Sequence, residues 1–128
     1  MLEFSKAFCG FSVNDLQKAK QFYSEILGLN AKENAMGVLE LHFEGGCHAI
    51  VYPKPNHEPA TYTVLNFPVE DLNKAVDELT KKGVQFEQYT GQLQTNEKGI
   101  FWNKQAGMPS HAWFKDPAGN ILTLLKQQ

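Results

Sequence analysis

Four imidazoles (His42, His48, His57 and His111), Glu40, and the thiols of Cys9 and Cys47 are the side chains on which acid–base or nucleophilic chemistry would have to rest. A general base must reach the proton it removes, and a thiol nucleophile needs a base or a positive field beside it. Neither cysteine has an evident base in the sequence around it, so each is expected to be an inert thiol buried in the fold. There is no glycine-rich phosphate loop and no basic patch interleaved with aromatic residues. Three uses remain for the other groups. His48, His111 or Glu40 would act as a general base; some of Glu40, His42, His48 and His111 would hold a metal; or all of them are polar contacts lining a wet pocket. The choice depends on which elements carry them and which way those elements turn them.

Composition narrows the partners. A chain of 128 residues is one domain's worth, and its 42% hydrophobic content is ordinary for a globular core. The start "MLEFSKAFCG" has no basic segment followed by an apolar one, and no apolar run approaches membrane-spanning length. The expectation is a cytoplasmic protein with both cysteines reduced. A formal net charge of −2 makes no electrostatic case for nucleic acid or for an anionic membrane. All 12 basic side chains are lysines. Without arginine, whose rigid fork grips carboxylates and phosphates, a tightly held phosphate ester is disfavoured.

The elements repeat. "FSVNDLQKAKQFYSEILGL" from Phe11 overlays "FPVEDLNKAVDELTKKGV" from Phe67 at a constant offset of 56, with Phe11, Val13, Asp15, Leu16, Lys18 and Ala19 identical to their counterparts. Each copy leads in with strand alternation, "AFCGFSV" and "YTVLNFPV". Asn14 or Asp15, and Glu70 or Asp71, then supply a helix cap or an acidic first turn. Leu16, Ala19, Phe22, Tyr23 and Ile26 form one apolar helix face, and Leu72, Ala75, Val76 and Leu79 the other. Gly28 and Gly83 sit where a glycine ends each helix. Strands are expected over Ala31–Met36, Val38–Phe43 and Cys47–Tyr52, then over Val84–Gln88, Ser110–Phe114 and Asn120–Leu125. "PKPNHEP" (Pro53–Pro59) is the linker, and Tyr89–Pro109 is a long connection of the kind that is often functional. The layout is βαβββ twice.

A tandem βαβββ pair with V-x-D-L-x-x-A in each half, closing on D-P-x-G-N at Asp116–Asn120, resembles the vicinal oxygen chelate superfamily of glyoxalase I, bleomycin-resistance proteins, extradiol dioxygenases and fosfomycin-resistance proteins. The resemblance runs from Phe4 to Lys126. It implies an α+β fold, a single domain over 1–128 made of modules at about 4–53 and 60–126. Their strands would form a cupped mixed sheet with helices on the outer face. It also implies divalent-metal ligands at four strand positions, which here are Phe8, Tyr52, Val64 and Thr123. Phenylalanine and valine carry no donor, and tyrosine and threonine are poor ones, so no metal and no other cofactor is expected.

If Phe8 marks the cavity side, alternation turns Gly10, Ser12, His48, Ile50, Tyr52, Val64 and Asn66 the same way. On the later strands it does so for His111, Trp113, Ile121, Thr123 and Leu125. Phe8, Tyr52, Trp102 and Trp113 then form aromatic walls, with Tyr62 and Phe101 as further candidates. His48, Asn66 and His111 are sparse polar handles, while Val64 and Thr123 occupy emptied metal positions. That mix suits an apolar or planar small molecule. The expected function is a metal-free binding protein similar to the bleomycin-resistance members, assembled as a homodimer. The alternative is a lyase- or isomerase-type enzyme with a His or Glu base, and a third reading is a domain that serves oligomerisation.

Overall fold

Asp15 and Asp71 begin the two helices in the same way. Each is extended, and its carboxylate accepts a backbone N–H three residues on, from Lys18 at 3.1 Å and from Lys74 at 3.0 Å. This is the N-cap geometry that satisfies an otherwise orphaned donor. In the computed structural model, which describes residues 1–127, these caps open α1 (Leu16–Gln21) and α2 (Leu72–Lys81). α2 ends in a Schellman motif: Gly83, at φ +97°, donates to the Thr80 carbonyl and Val84 to that of Leu79. α1 departs from the continuous helix expected. It gives way to a π turn over Phe22–Ile26, closed by Leu27 N–H to Phe22 O at 3.0 Å. The Ser24 hydroxyl donates back to the Lys20 carbonyl there, a local competition that loosens helices.

Two units follow, Met1–Pro59 and a second from Ala60 onward. The first carries β1 (Cys9–Val13), β2 (Asn30–Glu33), β3 (Leu39–His42) and β4 (His48–Pro53), in the spatial order β1-β4-β3-β2. The second carries β5 (Thr63–Pro68), β6 (Ile100–Phe101), β7 (Ser110–Lys115) and β8 (Ile121–Lys126), in the order β5-β8-β7-β6. Within each sheet the first strand joins its neighbour in parallel and the rest pair antiparallel. Both sheets are open and mixed, with one βαβββ module apiece.

Period-two alternation decides what each sheet buries. In the first unit Phe11, Val13, Leu39, Leu41, Ala49 and Val51 are buried, together with Ala19 and Tyr23 from the helical segment. In the second, Ala112, Phe114, Leu122 and Leu124 are buried with Leu72 and Val76 of α2, which packs on β7 and β8. At roughly 1.5–3 kcal/mol for each fully buried aliphatic or aromatic side chain, these sets supply the main favourable term of folding.

Four expectations need correction. β1 begins at Cys9, so Phe8 stands just before the strand. Both cysteines are free and exposed, because Cys9 opens an edge strand and Cys47 lies in the hairpin turn before β4. Residues 84–88 contribute one isolated bridge, Phe86 to Phe114, plus Glu87 N–H to Trp113 O at 2.8 Å. The rest of that β7 edge is taken by β6, from inside the long connection. The turn before β6 is built by Asn96, whose side chain accepts from Lys98 N (2.9 Å) and Ile100 N (3.0 Å). A two-residue strand is too short for alternation to reveal. Finally, the β5 register shifts between Thr63 and Leu65, so Val64 has no register partner on β8.

Candidate functional site

The side of the first sheet that faces away from the buried set carries a connected polar and aromatic row. Glu40 on β3 accepts from Asn34 Nδ2 and lies against His42 Nε2, both at 2.9 Å. These contacts, Asn34 first, hold its carboxyl below the usual range, so it stays ionised and is a weak base near neutrality. His42 pairs in register with His48, the rings stacked at 5.8 Å and 27°, and Phe8 stacks on His48 at 4.7 Å and 24°. Tyr52 and Phe8 are 38% and 54% exposed, which leaves both rings able to meet a ligand. Gly10 keeps this face low: a Cβ there would come within 2.9 Å of Ile50 Cγ1. Ser12 Oγ lies 2.7 Å from His57 Nδ1, which ties the linker to β1.

The corresponding side of the second sheet is an aromatic platform centred on Trp113. His111 stacks on Trp113 at 5.0 Å and 11°, Phe101 lies at 6.4 Å and 27°, and Tyr89 meets it edge-on at 5.4 Å and 72°. Register explains the grouping, since Phe101 pairs with His111, and Trp113 with Thr123. Burial pushes the His111 imidazole below its usual pKa, and burial, aided by the Glu87 charge, pushes the Tyr89 phenol up. Both shifts favour the neutral forms at physiological pH. The Lys115 ammonium, on the same strand, lies 3.1 Å from Glu87. The platform is apolar and uncharged, with hydrogen-bonding edges.

Most residues expected to line a site fall on these two faces. Phe8, His48 and Tyr52 belong to the first, and His111, Trp113, Asn66 and Thr123 to the second, where Asn66 pairs with Thr123 across β5 and β8. Thr123 is fully buried and is the register partner of Trp113 on the neighbouring strand. Val64 sits at the β5 irregularity, and Trp102, 43% exposed, follows Phe101 past the end of β6 with no ring contact to the platform among the described residues. The sequence reading missed Tyr89, the Glu40–His42 pairing and the Ser12–His57 contact. Only the i, i+2 spacing of Glu40 and His42 carried a signal. A separate groove of about 630 Å³, between α2 and residues 84–88, is lined by Asp77, Thr80, Gln85, Glu87 and Lys98 among others. Its lining includes the Lys98–Asp77 ion pair (2.8 Å) and the Phe86 ring.

The four positions implied for metal ligands do not fit a divalent ion. Phe8 and Val64 offer no donor atom. The Thr123 hydroxyl is committed, 3.1 Å from both the Ala112 and Leu124 carbonyl oxygens. Among the described residues, no three His, Cys, Asp or Glu side chains are grouped as a ligand set.

A βαβββ module present twice defines the class. The chain belongs to the Glyoxalase/Bleomycin resistance protein/Dioxygenase superfamily, whose family model matches residues 7–124. Among solved structures it is similar to a member of that superfamily from Sphaerobacter thermophilus DSM 20745, at 20% identity and TM-score 0.68, over 94% of this chain and 97% of the other. It is similar also to TnmS3, an antibiotic binding protein from Streptomyces sp. CB03234, at 22% identity and TM-score 0.66, over 96% and 97%. The fosfomycin resistance protein FosX from Listeria monocytogenes aligns at 13% identity and TM-score 0.70, over 100% and 96%. These identities speak for the fold alone. No curated protein matches the chain in sequence.

Proposed function

We propose that the protein binds a small, planar, largely apolar molecule without the help of a metal, and that its platform of Trp113, His111, Phe101 and Tyr89 is the principal contact. The observation that carries this reading is the uncharged aromatic cluster around Trp113. Stacking, worth about 0.5–1.5 kcal/mol per ring beyond area burial, supplies affinity without fixing one hydrogen-bond pattern. Phe8, His48 and Tyr52 offer a second, smaller aromatic contact. The donor-poor metal positions favour sequestration over Lewis-acid chemistry. That one structural neighbour is an antibiotic binding protein is compatible with this reading. The assembly proposed is a homodimer in the cytoplasm: each sheet has unpaired outer strands, which proteins commonly cover by association. No helix among the described residues is long and apolar enough to cross a membrane.

Native mass spectrometry of protein purified from its own host, without chelator, tests all of this together. The expected species is twice the 14.4 kDa chain with an organic adduct. Transition metal should remain below about one-tenth equivalent, as expected where thiolate, imidazole and carboxylate donors are missing. Stoichiometric zinc, nickel, iron or manganese, or a monomer at micromolar concentration, would overturn the corresponding part.

A second reading is favoured by the Glu40–His42 contact. A carboxylate beside an imidazole fixes the ring's orientation, as in a general-base dyad. His42 would take an α-proton from an enolisable ketone, and the enolate would take one back. On this reading, exchange of the α-hydrogens of cyclohexanone in D₂O runs above the buffer rate, and His42→Gln removes it by about a hundredfold. Exchange no faster than buffer rejects the enzymatic reading and leaves the binding one intact.

A further inference from the structure

Thr123 is fully buried, and its Oγ1 has three polar neighbours: the carbonyl oxygens of Ala112 and Leu124, each at 3.1 Å, and His111 Nδ1 at 3.3 Å. A hydroxyl has one proton to give, and carbonyl oxygens only accept. If that proton went to His111, two carbonyl lone pairs would face the threonine oxygen with no proton between them in a buried setting, which is costly. With the proton on a carbonyl, the oxygen presents a lone pair to Nδ1, and only an N–H there is satisfied.

We propose that His111 is held as the Nδ1–H tautomer with a bare Nε2, and that the platform therefore selects planar aromatic ligands bearing a hydrogen-bond donor, such as phenols, over acceptor-only analogues of the same shape. The Nε2 edge has no hydrogen-bond partner among the described residues, and the ring is only half-buried. A ligand settling on Trp113 beside this edge meets a fixed acceptor. A matching donor gains a hydrogen bond, whereas a second acceptor leaves two lone pairs opposed in a partly desolvated place. Thr123 is thus a positioning residue that acts through His111. This inference rests on the binding reading above, and the experiment separates the two.

Long-range ¹H–¹⁵N correlation reads the tautomer with no ligand present. The Nδ1–H form is expected for His111 in the native protein and in Thr123→Ser. Thr123→Val, nearly isosteric but without the hydroxyl, should revert to the ordinary Nε2–H majority. Isothermal titration with 2-naphthol and 2-methoxynaphthalene then reads selectivity. The native protein and Thr123→Ser should prefer the naphthol by about tenfold, the scale of one hydrogen bond made against a lone pair left opposed. In Thr123→Val and in His111→Phe the preference should fall below about threefold. An Nε2–H form in the native protein, or equal affinity for the two probes, overturns the donor selection while the aromatic platform stands. If neither probe binds although His111 is Nδ1–H, the binding reading itself fails and the selectivity falls with it.

Discussion

Trp113→Ala is expected to weaken 2-naphthol binding by tenfold or more, while costing less stability than the roughly 3–5 kcal/mol typical of a buried tryptophan. Trp113 is only half-buried and is the ring on which His111, Phe101 and Tyr89 converge. If a ligand covers ~40 Å² of it, area burial contributes about 1 kcal/mol, and stacking geometry adds roughly 0.5–1.5 kcal/mol. The sum is about 1.5–2.5 kcal/mol, and each 1.4 kcal/mol is a factor of about ten in affinity. The folded protein loses less, because the helix-side core of the second unit (Ala112, Phe114, Leu122 and Leu124) is on the other side of the strands. Titration calorimetry and urea unfolding of the same variant decide the matter. Unchanged binding together with a large loss of stability would make Trp113 a core residue and reverse the assignment of faces.

Asp116→Ala should be among the most destabilising single changes outside the apolar core, at roughly 2–4 kcal/mol. Asp116 is 4% exposed and organises the D-P-x-G-N turn between β7 and β8. Its Oδ1 accepts from Ala118 N at 3.0 Å and Asn120 N at 2.9 Å, and its Oδ2 from Asn120 Nδ2 at 3.1 Å. Asn120, buried as well, uses its own Oδ1 to accept from Ala60 N at 3.5 Å. Alanine would strand these donors, each costing about 1–3 kcal/mol where water cannot replace the carboxylate. The total is below the plain sum because a surface turn lets some water in. Asp116→Asn keeps an Oδ1 acceptor and should lose about half as much. A loss under about 0.5 kcal/mol for the alanine variant, measured by denaturant unfolding, would show that the turn is held by its backbone alone.

Neither result has the same standing in the sequence. The Asp116 turn was legible there, because Asp, Pro, Gly and Asn in that order encode a turn by side-chain-to-backbone bonds only a few residues long. The aromatic wall was legible in part. Trp113 and His111 fell on one face by alternation, and Phe101 was a candidate. Tyr89 was invisible, since it reaches Trp113 from a segment with one isolated bridge. The cysteines were misjudged because alternation assigns a side but says nothing of how near a strand end lies to solvent.

The sequence by itself determined what local interactions determine. The offset-56 repeat announced two like modules, Asp15 and Asp71 capped their helices, and alternating residues marked the buried side of β1, β3, β4 and β7. It also showed that Phe8 and Val64 bring no donor atom, and Tyr52 and Thr123 only poor ones, to the four positions implied for metal ligands. Only the tertiary structure decided the pairings: Glu40 with His42, Ser12 with His57, β6 along the outer edge of β7, and Thr123 with His111. Caps and alternation are written by contacts two to four residues apart, which a linear reading can follow. A bond between side chains on different strands depends on register and on rotamer. A shift of one residue would turn His111 away from Thr123 while leaving every sequence pattern unchanged.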